Sequence, residues 1–257
     1  MKIKSLLIAS ILTLTLNANA LETISVAATP VPHAEILEQV KPDLEKQGYK
    51  LEIKEFTDYV LPNLAVDNQE VDANFFQHIP YLEEFNKSKG TKLVKVAGVH
   101  IEPMAVYSKK YKSLDDIKEG VKIAIPNDPT NESRALDIIA KKGLVKFKDK
   151  ALKTPLDLTD NPKKIQFVEL KAAQLPRALD DVDFAVINSN YALSANLNPT
   201  KDSVFIEDKE SPYVNILVTK QGRENEAKIK ALADALQSDK IKQFILEKYD
   251  GSVLPAF

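Results

Sequence analysis

The sequence predicts an α/β protein with two lobes, and three observations support this fold class. Short β-branched runs alternate with amphipathic stretches, a pattern typical of strand–helix–strand units in a mixed, mostly parallel sheet flanked by helices. The chain has 257 residues, 44% of them hydrophobic and 28% charged, which is enough for one large domain or two small ones. A weak internal repeat, Leu61–Tyr81 and Leu175–Tyr191, places Leu-Pro before Val-Asp in each half and supports two similar lobes.

The first half of the chain is predicted to alternate strands and helices up to a long extended stretch. The apolar stretch Lys92–Ser108 is expected to be extended and to be interrupted at Pro103, which cannot donate a backbone hydrogen bond. The strands expected before it are Thr23–Ala28, Lys50–Phe56 and Val71–Phe75, and the helices are Ala34–Gln47 and Tyr59–Asn68.

The second half repeats this alternation and ends in helices. The polar segment Lys146–Lys164 contains Pro155 and Pro162 and predicts a surface loop. The expected strands are Val121–Ile125, Ile165–Leu170, Asp183–Ile187, Ser203–Ile206 and Tyr213–Thr219. The expected helices are Thr130–Lys142, a helix through Arg177–Asp180, Glu224–Gln237 and Lys240–Tyr249.

The first 20 residues have the features of a secretory signal peptide. Lys2 and Lys4 precede the apolar run Leu6–Leu16, and Ala18–Ala20 has the small-x-small pattern of a cleavage site. The apolar run is about half of the ~20 residues that a membrane-spanning helix needs. We therefore predict cleavage after Ala20 and a mature protein that acts in the periplasm.

The composition excludes several classes of function. With 35 basic and 37 acidic residues the chain is nearly neutral, which argues against binding to the phosphates of nucleic acid. Cysteine is absent, and the three histidines have no close ligand spacing, so the sequence offers no metal motif. The seven glycines form no phosphate-binding loop. We expect no nucleic-acid partner, no metal and no cofactor.

Arginine is rare in this chain, and one arginine stands in a suggestive context. Only three of the 35 basic residues are arginine. Arg134 follows a predicted strand and the polar turn Pro126–Ser133, which leads into a helix whose first N–H groups favour an anion. An arginine at such a place can bind a carboxylate bidentately. The alternative is an ordinary ion pair with a neighbouring acidic residue.

Two asparagines occupy comparable positions on predicted strands. Asn188 lies at the exit of an apolar strand, and Asn215 interrupts another. An amide in an apolar strand must find hydrogen-bond partners or cost about 1–3 kcal/mol. The partner is either a ligand ammonium or carboxylate, or a neighbouring backbone group.

The segment Asp72–Tyr81 contains four ring side chains at the end of a strand. Because consecutive strand residues point to opposite faces, Phe75 and Phe76 cannot both join the core of one lobe. One of them is expected to face the cleft, where aromatic rings bind apolar or sulfur-containing groups. The alternative is that all four rings lie in the lobe core.

Five segments form a specific pattern in their order along the chain: Val71–Leu82, Ile125–Asn131 with Arg134–Leu136, Ala172–Leu179, Val186–Asn188 and Ser211–Ile216. In these segments the chain resembles the substrate-binding proteins of methionine ABC importers, the MetQ (NlpA) family. The resemblance extends over nearly the whole mature chain.

The resemblance implies a two-lobed periplasmic-binding-protein fold of type II that closes around methionine. Lobe 1 is expected to comprise residues 21–105 and 213–257, and lobe 2 residues 106–212, with hinges at Pro103–Ser108 and Glu207–Tyr213. The protein is expected to be a monomer that delivers its ligand to a cognate ABC permease and ATPase complex.

The family's ligand-binding residues can be carried over to matching positions of this sequence. The resemblance implies that Arg134, with Asn131 beside it, binds the ligand carboxylate. The amide oxygens of Asn188 and Asn215 are expected to bind the ammonium. The thioether is expected to contact Tyr59, Phe76, His78 and Tyr81.

One departure from the family pattern concerns the membrane anchor. Family members are usually lipoproteins acylated on a cysteine after the signal peptide, whereas this chain has Leu21 there. We therefore expect the mature protein to have no lipid anchor and to diffuse freely in the periplasm.

Several alternatives stay open at the level of the sequence. The ligand could be D-methionine or a methionine-containing dipeptide, which relatives of this kind also bind. An enzyme would need a nucleophile beside a base, and Ser133 or Ser211 with His78 is the conceivable arrangement. A secreted adhesin or other interaction protein is the third possibility.

Overall fold

The computed structural model describes residues 20–208 and 211–257. The predicted signal peptide, apart from Ala20, lies outside the described residues. None of the described helices has both the length and the apolar composition needed to cross a membrane.

Strands and helices alternate along most of the described chain. The strands are β1 (Glu22–Ala28), β2 (Tyr49–Glu55), β3 (Ala73–His78), β4 (Leu93–Ile101), β5 (Ala105–Tyr107), β6 (Lys122–Pro126), β7 (Lys146–Phe147), β8 (Leu158–Asp160), β9 (Gln166–Leu170), β10 (Phe184–Ile187), β11 (Phe205–Ile206), β12 (Val214–Lys220) and β13 (Leu254–Pro255). The α-helices are α1 (Glu35–Lys46), α2 (Leu61–Asp67), α3 (Ile79–Lys89), α4 (Pro129–Lys141), α5 (Leu175–Ala178), α6 (Ser189–Ser194), α7 (Ala227–Leu236) and α8 (Asp239–Tyr249).

Two main sheets form the centres of the two lobes, and the α/β, two-lobed fold class is confirmed. The first sheet has the order β13-β4-β12-β3-β1-β2, and the second has the order β11-β5-β10-β6-β9. β1 is parallel to β2 and β3, and β6 is parallel to β9 and β10. The other pairs in these two sheets are antiparallel. The sheets are therefore mixed and contain more antiparallel pairs than expected, because the strands next to the crossings between the lobes are antiparallel to their neighbours.

Two crossings connect the sheets. The first runs from β4 to β5 through residues 102–104, and the second lies between β11 and β12. Since β5 pairs with β10 and β11, it belongs to the second sheet, so the predicted hinge Pro103–Ser108 extends too far along the chain. The exact lobe boundaries stay a prediction.

The main difference from the predicted elements is α3, which follows β3 directly. This aromatic segment was predicted to be the end of a strand. His78 caps the helix, since its ring Nδ1 accepts a hydrogen bond from the Tyr81 backbone N–H (3.1 Å). Pro80 stands in the first turn, where its missing N–H costs nothing. The predicted loop at 146–164 also contains the short hairpin pair β7 and β8.

The two neighbouring phenylalanines of β3 point to opposite sides, as predicted. Phe75 is fully buried in the core that packs the first sheet against α1, α7 and α8. Phe76 instead packs with Tyr81 and Phe85 in a separate cluster beside the cleft. The fold therefore separates a ring that stabilises the lobe from a ring that faces the space between lobes.

Candidate functional site

A pocket between the two lobes brings together all eight residues that are predicted from the sequence to bind the ligand. Four further lining residues, Gln77, Glu102, Ser189 and Asn190, were not predicted. The pocket is lined by Tyr59, Phe76, Gln77, His78, Tyr81, Glu102, Asn131, Arg134, Asn188, Ser189, Asn190 and Asn215.

The ends of three strands position most of these side chains. β3 leads into α3, β6 leads into α4, and β10 leads into α6, and each junction contributes pocket residues. Carboxyl ends of strands are where α/β proteins usually place ligands. Asp128 caps α4 by accepting a hydrogen bond from the Asn131 backbone N–H (3.1 Å), and this fixes the first turn that presents Asn131 and Arg134.

Arg134 is buried and has an ion-pair partner within the protein. Its Nε donates to Glu207 Oε1 (3.1 Å), and its Nη2 donates to the other oxygen of Glu207 and to the Glu102 carbonyl oxygen (2.9 Å). The guanidinium also lies over the ring of Tyr213, with Cζ 4.0 Å from the ring centroid. Among the described residues, Nη1 makes no hydrogen bond. Arg134 therefore forms the ion pair of the alternative prediction, and its Nη1 edge can still donate to a ligand.

Asn188 presents a free acceptor to the pocket. Its Nδ2 donates to Asn131 Oδ1 (2.8 Å), which also accepts from His78 Nε2 (3.1 Å). Burial, together with the nearby Arg134 charge, lowers the pKa of His78 to about 3, so this ring is neutral near pH 7. Among the described residues, Asn188 Oδ1 is buried without a hydrogen-bond partner. A buried orphan acceptor of this kind calls for a donor from a ligand.

Asn215 differs from Asn188 because its oxygen already accepts one hydrogen bond within the protein. Thr29 Oγ1 donates to His33 Nδ1 (2.7 Å), and His33 Nε2 donates to Asn215 Oδ1 (3.1 Å). The Asn215 NH₂ group can donate to a carboxylate. The contact between the Asn215 oxygen and a ligand ammonium stays a prediction, since an amide oxygen can accept two hydrogen bonds.

Aromatic rings form the opposite wall of the pocket. The Tyr59 ring centroid lies 5.9 Å from that of Phe76 and 5.8 Å from that of Tyr81. The Tyr59 hydroxyl donates to Asn190 Oδ1 (2.6 Å), a hydrogen bond that crosses from the first lobe to the second. The alternative that all four rings lie in the lobe core is wrong, because Phe76, His78 and Tyr81 line the pocket.

A buried cluster of His33, His100 and Glu102 adjoins the pocket. The ligand-type atoms of the three side chains lie within 4.8 Å of one another, a grouping that could hold a metal ion by residue type. Their hydrogen bonds already use these atoms: His100 Nε2 donates to Glu102 Oε1 (2.8 Å), and His33 Nε2 lies 3.3 Å from the same oxygen. The cluster could not be predicted from the sequence, because His33 is far along the chain from His100 and Glu102.

The enzyme alternative would need Ser133 or Ser211 as a nucleophile beside His78 as a base. Ser133 Oγ accepts from the Lys153 backbone N–H (3.0 Å), and Ser211 Oγ accepts from the Tyr213 backbone N–H (3.3 Å). The His78 ring bonds to Asn131 and to the Tyr81 backbone. Among the described residues, neither serine is hydrogen-bonded to His78.

The profile of the NlpA lipoprotein family matches residues 24–257. The chain belongs to the NlpA lipoprotein family. The D-methionine-binding lipoprotein MetQ of Salmonella typhi is 46% identical over 214 residues, 82% of this chain and 79% of the relative. The methionine-binding lipoprotein MetQ of Bacillus subtilis (strain 168) is 44% identical over 239 residues, 90% of this chain and 87% of the relative.

Solved structures similar to this NlpA-family protein share its fold. A nutrient-binding protein from Burkholderia cenocepacia bound to methionine has a TM-score of 0.89 and 44% identity, and covers 91% of this chain and 100% of its own. The methionine-binding protein MetQ has a TM-score of 0.88 and 42% identity, and covers 91% and 98%. These similarities identify the two-lobed architecture as that of substrate-binding proteins.

The predicted localisation of this NlpA-family protein, free in the periplasm without a lipid anchor, is wrong. Its relatives and its family are named lipoproteins, and these names imply lipid-anchored proteins at a membrane. The prediction depended on one position, Leu21, whereas the similarity to lipoproteins covers residues 24–257. A single residue beside a cleavage site was too narrow a basis for a conclusion about anchoring.

Glu132 on α4 predicts a pH dependence of stability. Burial, followed by the neighbouring Glu169 and Asp128, raises the pKa of Glu132 from 4.5 to about 8. Because the folded state then holds a proton that the unfolded state releases, stability falls as pH rises from about 4.5 to about 8.

Replacement of Glu132 tests this relation. Glu132→Gln is expected to raise the free energy of unfolding by about 1–3 kcal/mol at pH 9 and to change it little at pH 4. Urea unfolding at both pH values measures the difference. Glu45→Gln alters an exposed carboxylate of α1 and is the matched control. An equal effect of Glu132→Gln at both pH values would contradict the prediction.

Proposed function

We propose that this NlpA-family protein binds methionine between its lobes and delivers it, as a monomer, to the permease and ATPase of an ABC importer. The observation that carries the proposal is the composition of one pocket. In the part of the chain that the structure describes, a buried arginine whose Nη1 makes no hydrogen bond, a buried amide oxygen without a partner and a wall of aromatic rings face the same space. These groups match the carboxylate, the ammonium and the side chain of methionine.

Each pocket group has a proposed role in binding without chemical change. Arg134 binds the carboxylate through Nη1, and the Asn215 NH₂ group adds a hydrogen bond to it. Asn188 Oδ1 accepts from the ammonium, while Asn131 holds the Asn188 amide in place (2.8 Å). The rings of Tyr59, Phe76, His78 and Tyr81 contact the thioether, for which each contact contributes about 0.3–1.5 kcal/mol.

Ligand binding is proposed to favour closure of the lobes. The aromatic wall belongs to the first lobe, and Arg134 and Asn188 belong to the second. Only a ligand that touches both walls binds the closed form better than the open form, and this difference in affinity shifts the population. We propose residues 102–104 and the segment between Ile206 and Val214 as the hinges.

L-methionine is the proposed ligand, and D-methionine is the second candidate because several relatives are named D-methionine-binding lipoproteins. Mass spectrometry of the gently purified, then denatured protein tests the proposal. Co-purified methionine, assigned to one enantiomer by chiral chromatography, supports import. A co-purified dipeptide would shift the proposal to methionine-containing peptides. Absence of binding to all of these ligands in calorimetry would refute it.

Selectivity for sulfur is the next expected result. Leucine and norleucine have the same charged groups as methionine but lack the polarisable thioether. We expect both to bind more weakly than methionine by about 1–3 kcal/mol, as measured by titration calorimetry. Equal affinities would mean that the aromatic wall recognises the size of the side chain only.

A further inference from the structure

Glu102 is a buried carboxylate on the wall of the pocket that no part of the proposed recognition uses. It lies at the first crossing between the lobes, immediately after β4, and is only 6% exposed. An ionised carboxylate removed from water needs a partner of opposite charge or several donors. The neighbours of Glu102 therefore decide what it can do.

The side chains nearest to the Glu102 carboxylate are uncharged near pH 7. His100 Nε2 and His33 Nε2 lie 2.8 Å and 3.3 Å from Glu102 Oε1. Burial lowers the pKa of His33 to about 4 and that of His100 to about 3. Both rings are therefore neutral near pH 7, and they orient the carboxylate without neutralising it.

Arg134 does not form an ion pair with the Glu102 carboxyl. It donates to the backbone carbonyl of Glu102, while its ion pair is with the Glu207 carboxylate. Within residues 20–208 and 211–257, no lysine or arginine lies within ion-pair distance of the Glu102 carboxyl. Burial raises the pKa of Glu102, which the Arg134 charge partly opposes, so a cationic ligand group beside the carboxyl would favour its ionised form.

The predicted partners of the ligand ammonium are neutral. Of the two amide oxygens, Asn188 Oδ1 has no partner among the described residues, whereas Asn215 Oδ1 already accepts one hydrogen bond from His33. His33 Nε2 lies 3.1 Å from Asn215 Oδ1 and 3.3 Å from Glu102 Oε1, so both groups adjoin the same part of the pocket wall. Amide oxygens supply no negative charge for a buried ammonium, and a carboxylate would supply it.

We propose that Glu102 is the anionic partner of the ligand ammonium and the residue that selects α-amino acids over α-hydroxy acids. His33 and His100 are positioning residues that hold the carboxylate toward the pocket. The inference rests on the proposed function and deepens it, because it specifies which chemical class of methionine analogue the pocket accepts.

The test compares methionine with its α-hydroxy analogue, 2-hydroxy-4-(methylthio)butanoate, which has a hydroxyl in place of the ammonium. Titration calorimetry of the unaltered protein should show methionine binding about 30-fold more tightly or better. Glu102→Gln keeps the shape of the side chain and removes its charge. We expect it to weaken methionine about 30-fold or more and the hydroxy analogue less than about 3-fold.

A second variant tests recognition of the ligand carboxylate separately from recognition of the ligand ammonium. Glu207→Gln disturbs the partner of Arg134, and both ligands have the carboxylate that Arg134 is proposed to bind. This control should therefore weaken both ligands by similar factors. Circular dichroism and thermal unfolding of both variants check that they fold.

Three outcomes would overturn the inference while methionine binding itself persists. Equal weakening of both ligands by Glu102→Gln would assign Glu102 a packing role, and an unchanged methionine affinity would remove it from recognition. Similar affinities of the unaltered protein for both ligands would show that no group selects the ammonium, and this comparison requires no variant to fold. If the unaltered protein does not bind methionine, the proposed function fails instead.

Discussion

Arg134→Ala is expected to weaken methionine binding by about 3–5 kcal/mol, since the ligand carboxylate would be buried without its charged partner. The substitution also removes the two Arg134 donors to the Glu207 carboxylate, which then keeps the Met104 backbone N–H (3.2 Å), and it removes the cation above the Tyr213 ring. Part of the loss should therefore appear as lower stability of the ligand-free protein. Titration calorimetry measures the first effect, and thermal unfolding measures the second.

Two further variants define the role of the guanidinium. Arg134→Lys keeps the charge but has a single donor group, which cannot bind Glu207 bidentately and also reach a ligand, so we expect an intermediate loss. Arg223→Ala removes an arginine that pairs with Asp72 and Glu226 and does not line the pocket. Its methionine affinity should equal that of the unaltered protein. An unchanged affinity after Arg134→Ala would exclude this arginine from the site.

Alanine substitutions at the two adjacent phenylalanines of β3 are expected to have different consequences. Phe75→Ala should lower the free energy of unfolding by about 3–5 kcal/mol, because the ring is fully buried in the core of the first lobe. Phe76→Ala should lower methionine affinity by about 1–3 kcal/mol, because this ring lines the pocket. Phe76 also packs against Tyr81, so some loss of stability accompanies the change.

Urea unfolding and calorimetry on both variants measure the two effects. Phe75→Ala should retain near-normal methionine affinity at temperatures where it is folded. If Phe75→Ala weakened binding as strongly as Phe76→Ala, the division of the two rings between core and cleft would be incorrect.

The prediction of secondary structure succeeded where periodicity was strong. β1, α1 and β2 lie within one or two residues of the predicted segments, because alternating and helical patterns of burial repeat over each of them. α3 was missed because its first turn is rich in rings and contains a proline, so it resembles the end of a strand. Only the cap formed by the His78 ring shows where that helix begins.

Eight of the twelve residues that line the candidate site could be predicted, but the hydrogen bonds that they make could not. Arg134 and Asn188 follow strands in the sequence, and strand ends converge on one edge of a sheet, so local pattern and family resemblance suffice to select them. The partners of these side chains could not be predicted. Glu207 is 73 residues from Arg134, and His33 is 182 residues from Asn215.

The anchor shows the limit of reasoning from one position. Leu21 led to the expectation of a freely diffusing protein, and the lipoprotein relatives contradict it. The fold class was secure by comparison, because it follows from a pattern repeated over many strands and helices.

The sequence by itself determined the α/β class, the order of most elements and, with the family resemblance, eight of the twelve residues that line the cleft. Tertiary structure alone decided that Arg134 pairs with Glu207, that the Asn215 oxygen accepts from His33, and that Glu102 lies beside two histidines. The physical reason is that local patterns specify which face of an element is buried. The partner that satisfies a buried polar group is set by the packing of distant segments.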